Sequence, residues 1–586
     1  MDKKQVTLMI DGTSISVDAD STIMEAAEQL GIYVPRLCYH PKLSLAGSCR
    51  VCIVEVEGVP FYMASCSVKV AEGMVVRTNS PEIRRARRDI VELLLDNHPR
   101  DCQTCERDGN CELQNLAYSM GVRRRLFAGE RKEFETDASG KSVVRNAEKC
   151  ILCGRCVRVC SEIQGVHNLS QQGRGFHTVV GPAHLEEMAD SVCIRCGQCI
   201  NVCPTAAFIE QSSTDAVWDA LADPEMHVVV QSAPSIRAAI GEGFNLPPGT
   251  PVVGEMVTAL RRLGFDAVFD TNFGADLTIV EEAHELIRRL GGTAPLPMLT
   301  SCSPGWISFL ERFYPELIPH ASTCKSPMSM LSTLTKTYYA EKTGIDPKKI
   351  FNVAIMPCVA KKYEAQRPEH ADADGVPYTD AVLTTRELIW MIKCYGLHLS
   401  GLPKGEFDSP LGISTGAADI FGSTGGVMEA TLRTASELVT GKPAQRLEFF
   451  EVRAVEGLRT AYVAIGEHNI HVGVANGLTN AKTLLDQVVE GSEKYHVIEV
   501  MACPGGCIGG GGQPYPPKGM NILDPELLRD RAKALYDIDE HKKFRKSHEN
   551  PTIIELYEKY LKEPGSPLAH DLLHTHYTAK LPRGIR

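Results

Sequence analysis

Alternating hydrophobic and polar positions organise the beginning of the chain. The stretch VTLMIDGTSISV alternates on both sides of Asp11 and Gly12, and alternation around such a turn dipeptide predicts a β-hairpin. The next stretch, DSTIMEAAEQLGI, has the spacing of an amphipathic helix, with Asp20 or Ser21 as the expected N-cap. Strand, turn, strand and helix together predict the start of a small sheet domain.

A second helical pattern lies near the middle of the chain, in TIVEEAHELIRRL. Its charged residues Glu282, Glu285 and Arg289 are spaced i, i+3 and i+7, which places all three along one face. One interpretation is that these charges simply face solvent, as they do on most amphipathic helices.

Composition and charge narrow the class of protein. The 586 residues suffice for about four domains at ~150 residues each. The formal charge of -11 and the pI near 5.9 argue against binding to nucleic acid or to an anionic membrane, because both need a basic surface. The basic run RRARRD, residues 84–89, is expected on a solvated helix face. Since neither a signal-type segment nor an apolar run of ~20 residues occurs, a cytoplasmic location is predicted.

Twenty-one cysteines change this picture. Cytoplasmic thiols stay reduced, so closely spaced cysteines indicate metal ligation. The first group, a Cys-x2-Cys pair with two outlying cysteines, suits a 2Fe-2S cluster, and a zinc site is the alternative. Together with the predicted hairpin and helix, it predicts a ferredoxin-like domain of the β-grasp type at residues 1–78. The predicted ligands are Cys38, Cys49, Cys52 and Cys66.

The second group consists of one histidine and three cysteines: His98, Cys102, Cys105 and Cys111. Three thiolates and an imidazole are a common ligand set for structural zinc, so the spacing alone leaves the metal open. The neighbouring cysteine runs favour iron and sulfur. We therefore expect a 4Fe-4S cluster in a small domain at residues 79–120.

Two further runs, CILCGRCVRVC and CIRCGQCINVCP, both match Cys-x2-Cys-x2-Cys-x3-Cys. In two-cluster bacterial ferredoxins the fourth cysteine of each such run ligates the other cluster. This rule predicts two 4Fe-4S clusters in a domain at residues 140–210. The expected ligand sets are Cys150, Cys153, Cys156 and Cys203 for one cluster, and Cys193, Cys196, Cys199 and Cys160 for the other.

Four predicted clusters in the first 210 residues indicate an electron-transfer chain. Electrons move between centres only over short gaps, so such a chain has to end at a redox site further along the sequence. No G-x-G-x-x-G segment follows a predicted strand. Any flavin or NAD(P) chemistry is therefore expected on a partner subunit.

Three segments of the C-terminal half are unusual: TSCSPGW (300–306), MPCVAKKYE (356–364) and EVMACPGGCIGGGGQP (499–514). Together they resemble the three signature segments of the iron-only (FeFe) hydrogenases. The resemblance extends over nearly the whole chain, including the small-subunit-like tail RKSHENPTIIELYEKYL. It implies a multidomain α/β protein with a large α/β hydrogenase domain at residues 225–520 and a helical region at residues 521–586.

The resemblance implies an H-cluster, a 4Fe-4S cube bridged through Cys507 to a diiron unit that carries CO, cyanide and an azadithiolate. The expected ligands of the cube are Cys358, Cys503, Cys507 and residue 303. Here the chain departs from the family, which usually has two adjacent cysteines where this chain has Cys302 and Ser303. Two alternatives stay open for the fourth ligand of the cube. Either Ser303 ligates iron through its oxygen, or Cys302 takes the place of Ser303 as the ligand.

The resemblance also implies residues that surround the H-cluster. Lys361, with backbone N–H groups near Pro234 and Ser235, would anchor the cyanides, and Met356 and Met501 would pack against the diiron unit. From the residues alone, the methionines are ordinary core residues and Lys361 is a surface lysine.

The resemblance further implies a proton relay that runs from Cys302 towards Arg289. Its expected intermediate members are Glu282, Ser322 and Glu285. Cys324 and Cys394 have no ligand spacing and are expected to be plain core thiols.

The implied function is that of a hydrogenase catalytic subunit, which interconverts protons and electrons with H2. Residues 1–120 resemble the N-terminal part of the large peripheral subunit of respiratory complex I. This implies flavin and NAD(P)-binding partner subunits in a hetero-oligomer, with ferredoxin as another electron partner. Two alternatives remain. An electron-transfer subunit would explain residues 1–210 only, and an iron-sulfur assembly or sensory protein of hydrogenase-like fold could keep the cube without the diiron unit.

Overall fold

The computed structural model describes residues 4–123, 127, 129–444, 446–454, 456–517 and 519–580. The outermost parts of the first and last predicted domains, residues 1–3 and 581–586, lie outside this description. In the described ranges, no helix combines the length and the apolar character needed to cross a membrane. The chain folds into several units of mixed α/β structure, which confirms the predicted multidomain α/β class.

The first unit is a five-stranded sheet. The predicted hairpin is present, and Val6, Leu8 and Ile10 of its first strand point into the core while their neighbours are exposed. Asp11 and Gly12 form the turn with positive φ angles of 48° and 85°, which is the backbone that this turn pair favours. The strand order is Thr13–Asp18, Gln5–Ile10, Val75–Arg77, Ile53–Val56 and Met63–Ala64.

The helix Ile23–Gln29 follows the hairpin as predicted, but its N-cap is Thr22. The Thr22 hydroxyl accepts the Glu25 N–H, and the Glu25 carboxylate accepts the Thr22 N–H. This reciprocal capping box satisfies two backbone donors at once. It explains why the predicted caps, Asp20 and Ser21, are wrong by one or two positions.

Two helices, Pro81–Asp96 and Glu112–Ser119, flank the second cysteine group. The basic run lies on the first of them, and most of its arginines are exposed, as predicted. Arg87 is the exception, because its side chain is buried and donates to the Ile53 carbonyl at 2.6 Å. The expected solvated face is therefore interrupted where the helix packs on the first sheet.

The region with the two long cysteine runs consists of two similar halves. Each half has a short helix, Arg155–Arg158 or Gln198–Val202, and each helix follows a glycine between the second and third cysteines of its run. Gly154 and Gly197 have φ angles of 70° and 74°, a backbone that glycine adopts without steric cost. The small sheets pair Val143–Arg145 with Phe208–Glu210, and Ser170–Gln172 with Val179–Gly181.

Two four-stranded sheets build the large domain. The first is parallel throughout, in the order Ala267–Asp270, His227–Ser232, Ile350–Met356 and Ala381–Thr384. The second has the order Met298–Leu299, Val497–Met501, His468–Asn476 and Leu458–Ile465, and only its last pair is antiparallel. Strand Ile350–Met356 is almost wholly buried and reads IFNVAIM, which is typical of an interior strand with helices on both faces.

Helices surround both sheets. Those of the large domain are Thr214–Ala222, Val253–Leu263, Thr271–Leu290, Pro304–Phe313, Pro327–Leu334, Ala340–Thr343, Lys361–Glu364, Thr385–Cys394, Gly416–Asp419, Gly426–Thr440 and Leu478–Glu490. The C-terminal region adds Pro525–His541, Pro551–Leu556 and Pro567–Leu573. Parallel strands of both sheets end around one enclosed space, which is where α/β sheets bind ligands.

Candidate active site

An enclosed cavity lies where the parallel strands of the two sheets end. Its walls include the three predicted cubane cysteines, Cys358, Cys503 and Cys507. Burial raises the pKa of Cys507 to about 12, and the negative charge of a Cys358 thiolate adds to this effect. Buried thiolates that repel one another need a bound cation, and sulfur ligands suit iron–sulfur centres. The donor set of the cavity therefore fits the predicted cube.

The glycine run of the third signature segment has a steric cause. A Cβ atom on Gly510 would lie 2.3 Å from the Pro357 carbonyl oxygen, and one on Gly511 would lie 2.5 Å from the Cys196 carbonyl oxygen. Both distances are too short for any side chain. The run thus packs directly on the second signature segment and on the two-cluster region, and Cys196 also lines the cavity.

Lys361 is buried, so the interpretation as a surface lysine is wrong. Its Nζ donates to the Cys302 carbonyl at 3.2 Å and pairs with Glu364 at 2.7 Å. Glu364 also accepts hydrogen bonds from Ser326 and Ser329. The ammonium group is thereby fixed at the cavity wall by a counter-charge that is itself held in place.

The other predicted lining residues also meet at this cavity: Pro234, Ser235, Met356 and Met501. Both methionines are nearly inaccessible to solvent, so the core interpretation and the cavity interpretation apply together. The buried Ser235 hydroxyl has no hydrogen-bond partner among the described residues. Because an unpaired buried hydroxyl is costly, this group is suited to a polar ligand in the cavity.

Cys302 and Ser303 both line the cavity, at the start of helix Pro304–Phe313. Cys302 also packs against a cluster of buried residues that includes Met501 and Phe421. Burial raises the pKa of the Cys302 thiol, and the charge of Glu282 raises it further. The thiol therefore keeps its proton at neutral pH unless a neighbouring group accepts it.

The predicted relay helix is buried. It spans Thr271–Leu290, and the exposed fractions of Glu282, Glu285 and Arg289 are 0%, 6% and 3%. The alternative of solvated helix charges is therefore wrong. Helices Pro327–Leu334 and Gly426–Thr440 pack against this helix.

Hydrogen bonds join three of the predicted relay residues, Ser322, Glu285 and Arg289. The Ser322 hydroxyl donates to Glu285 at 2.8 Å, and Arg289 donates to the other Glu285 oxygen at 2.6 Å. Among the described residues, neither carboxylate oxygen of Glu282 has a hydrogen-bond partner. Burial, together with the charge of Glu285, raises the pKa of Glu282 to about 8. Glu282 thus holds its proton at neutral pH, and Ser322 and the Ser301 backbone lie close enough to its carboxyl group to lower its pKa in part.

One residue near the site was missed by the sequence interpretation. Glu499 is buried, accepts the N–H groups of Gly425 and Met428 at 2.7 Å each, and has a pKa raised to about 7 by burial. Its position at the head of the third signature segment was the available signal. Cys324 is buried, as predicted, but its thiol also lies 3.7 Å from Glu285. Cys394 is exposed, so its prediction as a core thiol is wrong.

The structure brings the first four predicted ligands together. The Cys49 N–H donates to the Cys38 sulfur at 3.5 Å. The Cys38 thiol also contacts the thiols of Cys49 and Cys66, and Cys66 contacts Cys52. Three of the four are buried and Cys49 is half-buried. Four thiols linked by successive contacts are a set that a small iron–sulfur cluster can use as ligands.

His98 is buried beside the second cysteine group. Burial lowers the pKa of its imidazole to about 4, so the ring is neutral at pH 7, which is the form that binds metals. Its Nδ1 has no hydrogen-bond partner among the described residues. Cys105 lies close enough to influence the pKa of both Cys102 and Cys111, and Cys102 is exposed to solvent.

The two long cysteine runs cross over as the ferredoxin rule predicts. Cys203, from the second run, lies near Cys150, Cys153 and Cys156 of the first. Cys160, from the first run, lies near Cys193 and Cys199 of the second. Burial raises the pKa of Cys153 to about 12. A group of buried thiols with raised pKa values fits a bound cluster.

Backbone contacts join these groups of cysteines. The Arg158 guanidinium donates to the carbonyls of Cys38 at 2.6 Å and Cys153 at 3.3 Å. The Cys111 thiol lies 3.6 Å from the Pro204 carbonyl, next to Cys203. Because Cys196 lines the cavity, contacts of this kind connect the cysteine groups of the N-terminal half with one another and with the cavity.

Comparisons with known sequence families agree with this organisation. "Iron only hydrogenase large subunit, C-terminal domain" matches residues 226–511, and "Iron hydrogenase small subunit" matches residues 525–580. A 2Fe-2S iron-sulfur cluster binding domain matches residues 3–81, and a 4Fe-4S dicluster domain matches residues 132–207. The iron-sulfur binding region of NADH-ubiquinone oxidoreductase-G matches residues 87–125.

Individual proteins match over similar lengths. The chain is 50% identical to NADP-reducing hydrogenase subunit HndD of Solidesulfovibrio fructosivorans, over 98% of each chain. It is 42% identical to iron hydrogenase 1 of Clostridium pasteurianum, over 97% of this chain and 99% of that protein. The apo FeFe-hydrogenase of Chlamydomonas reinhardtii has 45% identity and a TM-score of 0.56, and the match covers 63% of this chain and 99% of that structure.

These findings show that the chain belongs to the iron-only (FeFe) hydrogenase family. It is a hydrogenase with an H-cluster domain preceded by 2Fe-2S and 4Fe-4S domains. The predicted family, function and classes of cofactor are confirmed.

Proposed function

We propose that the reaction takes place in the cavity lined by Cys302, Lys361, Cys358, Cys503 and Cys507. The observation that carries this proposal is their meeting in one enclosed space that Cys196 also lines. When bound there, the H-cluster supplies reversible heterolytic cleavage of H2. The protein supplies ligands, anchoring groups, a route for protons and a route for electrons.

In this proposal the cube is held by Cys358, Cys503, Cys507 and residue 303. Lys361 donates to a cyanide, because its ammonium group is fixed at the cavity wall. The unpaired Ser235 hydroxyl and the backbone beside Pro234 serve the second cyanide. Met356 and Met501 pack against the diiron unit, where a thioether adapts to an irregular surface.

Protons are proposed to leave and reach the cavity through Cys302, Glu282, Ser322 and Glu285, towards Arg289. The contacts of Ser322 and Arg289 with Glu285 support the distal half of this route. The raised pKa of Glu282 supports its role as a carrier that holds a proton at neutral pH. The Glu282 carboxyl group is proposed to connect Cys302 with Ser322, because its charge acts on the Cys302 thiol and Ser322 lies close enough to lower the pKa of Glu282 in part.

Electrons are proposed to travel through one 2Fe-2S and three 4Fe-4S clusters. The proposed domains are a β-grasp ferredoxin-like domain at residues 1–78, the His-ligated domain at 79–120, the two-cluster ferredoxin domain at 140–210, the H-cluster domain at 225–520 and the small-subunit-like region at 521–586. The proposed ligands are Cys38, Cys49, Cys52 and Cys66; His98, Cys102, Cys105 and Cys111; Cys150, Cys153, Cys156 and Cys203; Cys193, Cys196, Cys199 and Cys160.

The proposed partners are flavin and NAD(P)-binding subunits of a hetero-oligomer, with ferredoxin as another electron partner. The relative named as an NADP-reducing hydrogenase subunit supports this assignment. We propose a cytoplasmic location, because so many ligand thiols have to stay reduced. The assembly-protein and electron-transfer alternatives are not favoured, since the relatives that match over nearly the full chain are named as hydrogenases.

Assays with different electron acceptors test whether NADP+ reduction requires a partner subunit. The purified, matured chain under H2 is expected to reduce a viologen dye and a ferredoxin, but not NADP+, because the chain has no dinucleotide motif of its own. Adding a flavin-containing partner subunit is expected to restore NADP+ reduction. Reduction of NADP+ by the chain alone would contradict the proposal.

A substitution at the histidine tests the second cluster. His98→Cys is expected to keep a 4Fe-4S centre but to lower its reduction potential, since a thiolate in place of a neutral imidazole adds negative charge. The measurement is a redox titration followed by electron paramagnetic resonance (EPR). Unchanged potentials of every accessory centre would show that His98 is not a ligand.

A further inference from the structure

Lys149 lies between two of the proposed cluster sites. Its Nζ is 3.5 Å from the sulfur of Cys105, and the next residue in sequence is Cys150. The side chain is only 8% exposed. Its backbone carbonyl accepts the Thr205 hydroxyl at 2.7 Å, which fixes the start of the side chain. The Lys149 ammonium group is thereby held against the sulfur of Cys105, a proposed cluster ligand that lies 44 residues earlier in the sequence.

The Lys149 ammonium group is more deeply buried than the two carboxylates that pair with it. Asp101 and Glu106 lie 3.2 Å and 3.4 Å from the Lys149 Nζ, and their side chains are about half exposed. Water screens these carboxylates more than it screens the buried ammonium group. Arg131 lowers the pKa of His98, and Arg107 lowers the pKa of Cys111, so other cations are nearby. Among the described residues, Lys149 is the one whose side chain donates a hydrogen bond to a sulfur of this group.

We propose that Lys149 raises the reduction potential of the cluster bound by His98, Cys102, Cys105 and Cys111, by donating an N–H to the Cys105 sulfur. The inference rests on the proposed ligand set. Hydrogen bonds to the sulfurs, net charge and solvent exposure set the potential of an iron–sulfur cluster. Because reduction adds a negative charge, a buried cation beside the sulfur stabilises the reduced state more than the oxidised state.

This position has a functional consequence. Cys102 is exposed, so the cluster at this group lies near the protein surface, where an external donor can reach it. Lys149 makes such a cluster a better electron acceptor, while its backbone leads directly into the next proposed ligand, Cys150. Lys149 is thus a positioning and tuning residue rather than a ligand.

The test is an EPR-monitored redox titration of the full-length chain with its clusters assembled. Lys149→Met is expected to lower the midpoint of one 4Fe-4S centre, the same centre that changes in His98→Cys. At a fixed potential its reduced-to-oxidised ratio should fall at least about tenfold, which corresponds to about 59 mV for a one-electron couple. Two control variants should leave this midpoint unchanged: Lys149→Arg, which keeps the charge and the donor, and Lys69→Met, which removes an exposed lysine of the first unit that lies outside its strands and pairs with Asp20.

The outcomes separate this inference from the ligand assignment. An unchanged midpoint in Lys149→Met, with the centre defined by His98→Cys still present, overturns the role of Lys149 and leaves the ligands intact. If His98→Cys alters no centre, the ligand assignment fails first, and the inference fails with it. If Lys149→Met loses iron, Lys149→Gln is titrated instead. Loss of iron in both, with retention in Lys149→Arg, would show that the ion pairs merely hold the segment together, and the proposal would be wrong.

Discussion

Cys302→Ser is expected to abolish turnover while leaving the iron of the cube in place. The reason is acidity, because a free thiol titrates near ~8.5, whereas a serine hydroxyl is far less acidic and transfers protons poorly. Cys302 lines the cavity, and its pKa responds to the charge of Glu282, the next member of the proposed relay. Assays of H2 evolution and uptake, with iron determination on the same sample, measure both halves of this prediction.

The neighbouring position supplies the matched control. Ser303 lines the same cavity and occupies the place at which the family usually has a cysteine ligand. Ser303→Cys is therefore expected to keep or strengthen the cube, because soft sulfur suits iron–sulfur clusters better than oxygen does. If Cys302→Ser loses the cube instead, Cys302 is the fourth ligand and the two roles have been exchanged.

Glu282→Gln is expected to lower turnover at least about 100-fold with cluster content unchanged, as is usual when a proton-transfer group is removed. Glutamine has almost the same size but no exchangeable acid. Burial raises the pKa of Glu282 to about 8, so the residue carries its proton below that pH and loses it above. Wild-type H2 evolution should therefore decline as the pH rises through about 8, and the variant should lack this step.

The control is Glu281→Gln, one position away on the same buried helix. Glu281 bonds to Tyr557 at 2.6 Å and to His574 at 3.2 Å, and it is not part of the proposed relay. This variant should retain turnover within a few-fold. If Glu282→Gln also stays within a few-fold of the wild type, protons use another route.

The cysteine groups could be predicted from the sequence because the spacing of ligands along a short segment is itself the signal. Cys203 and Cys160 cross between the two runs as the spacing rule requires. The burial of Glu282 could not be predicted in this way. A helical pattern defines a polar face, but it does not reveal that helix Pro327–Leu334 packs close to it.

The local errors have similar causes. Thr22, and not the predicted Asp20 or Ser21, is the N-cap because Glu25 forms a capping box with it. Arg87 is buried because the helix lies against strand Ile53–Val56, whose first carbonyl it binds. Glu499 begins the third signature segment, but its role could not be predicted, because only the fold shows that it accepts two N–H groups at the start of helix Gly426–Thr440. The burial of Arg87 and the role of Glu499 depend on contacts between segments that are distant in sequence. The Thr22 cap depends on a choice between neighbouring residues that could all serve as the N-cap.

The most direct test of the central claim is infrared spectroscopy of the matured protein. Only an assembled H-cluster gives bands of metal-bound CO and cyanide, and the cavity with Cys358, Cys503, Cys507 and Lys361 is proposed to hold it. We expect these bands in the wild type and in Cys302→Ser, and we expect their frequencies to change when Lys361 is replaced by methionine. A matured sample with full iron content, but without CO and cyanide bands, would contradict the assignment of this cavity as the site of hydrogen chemistry.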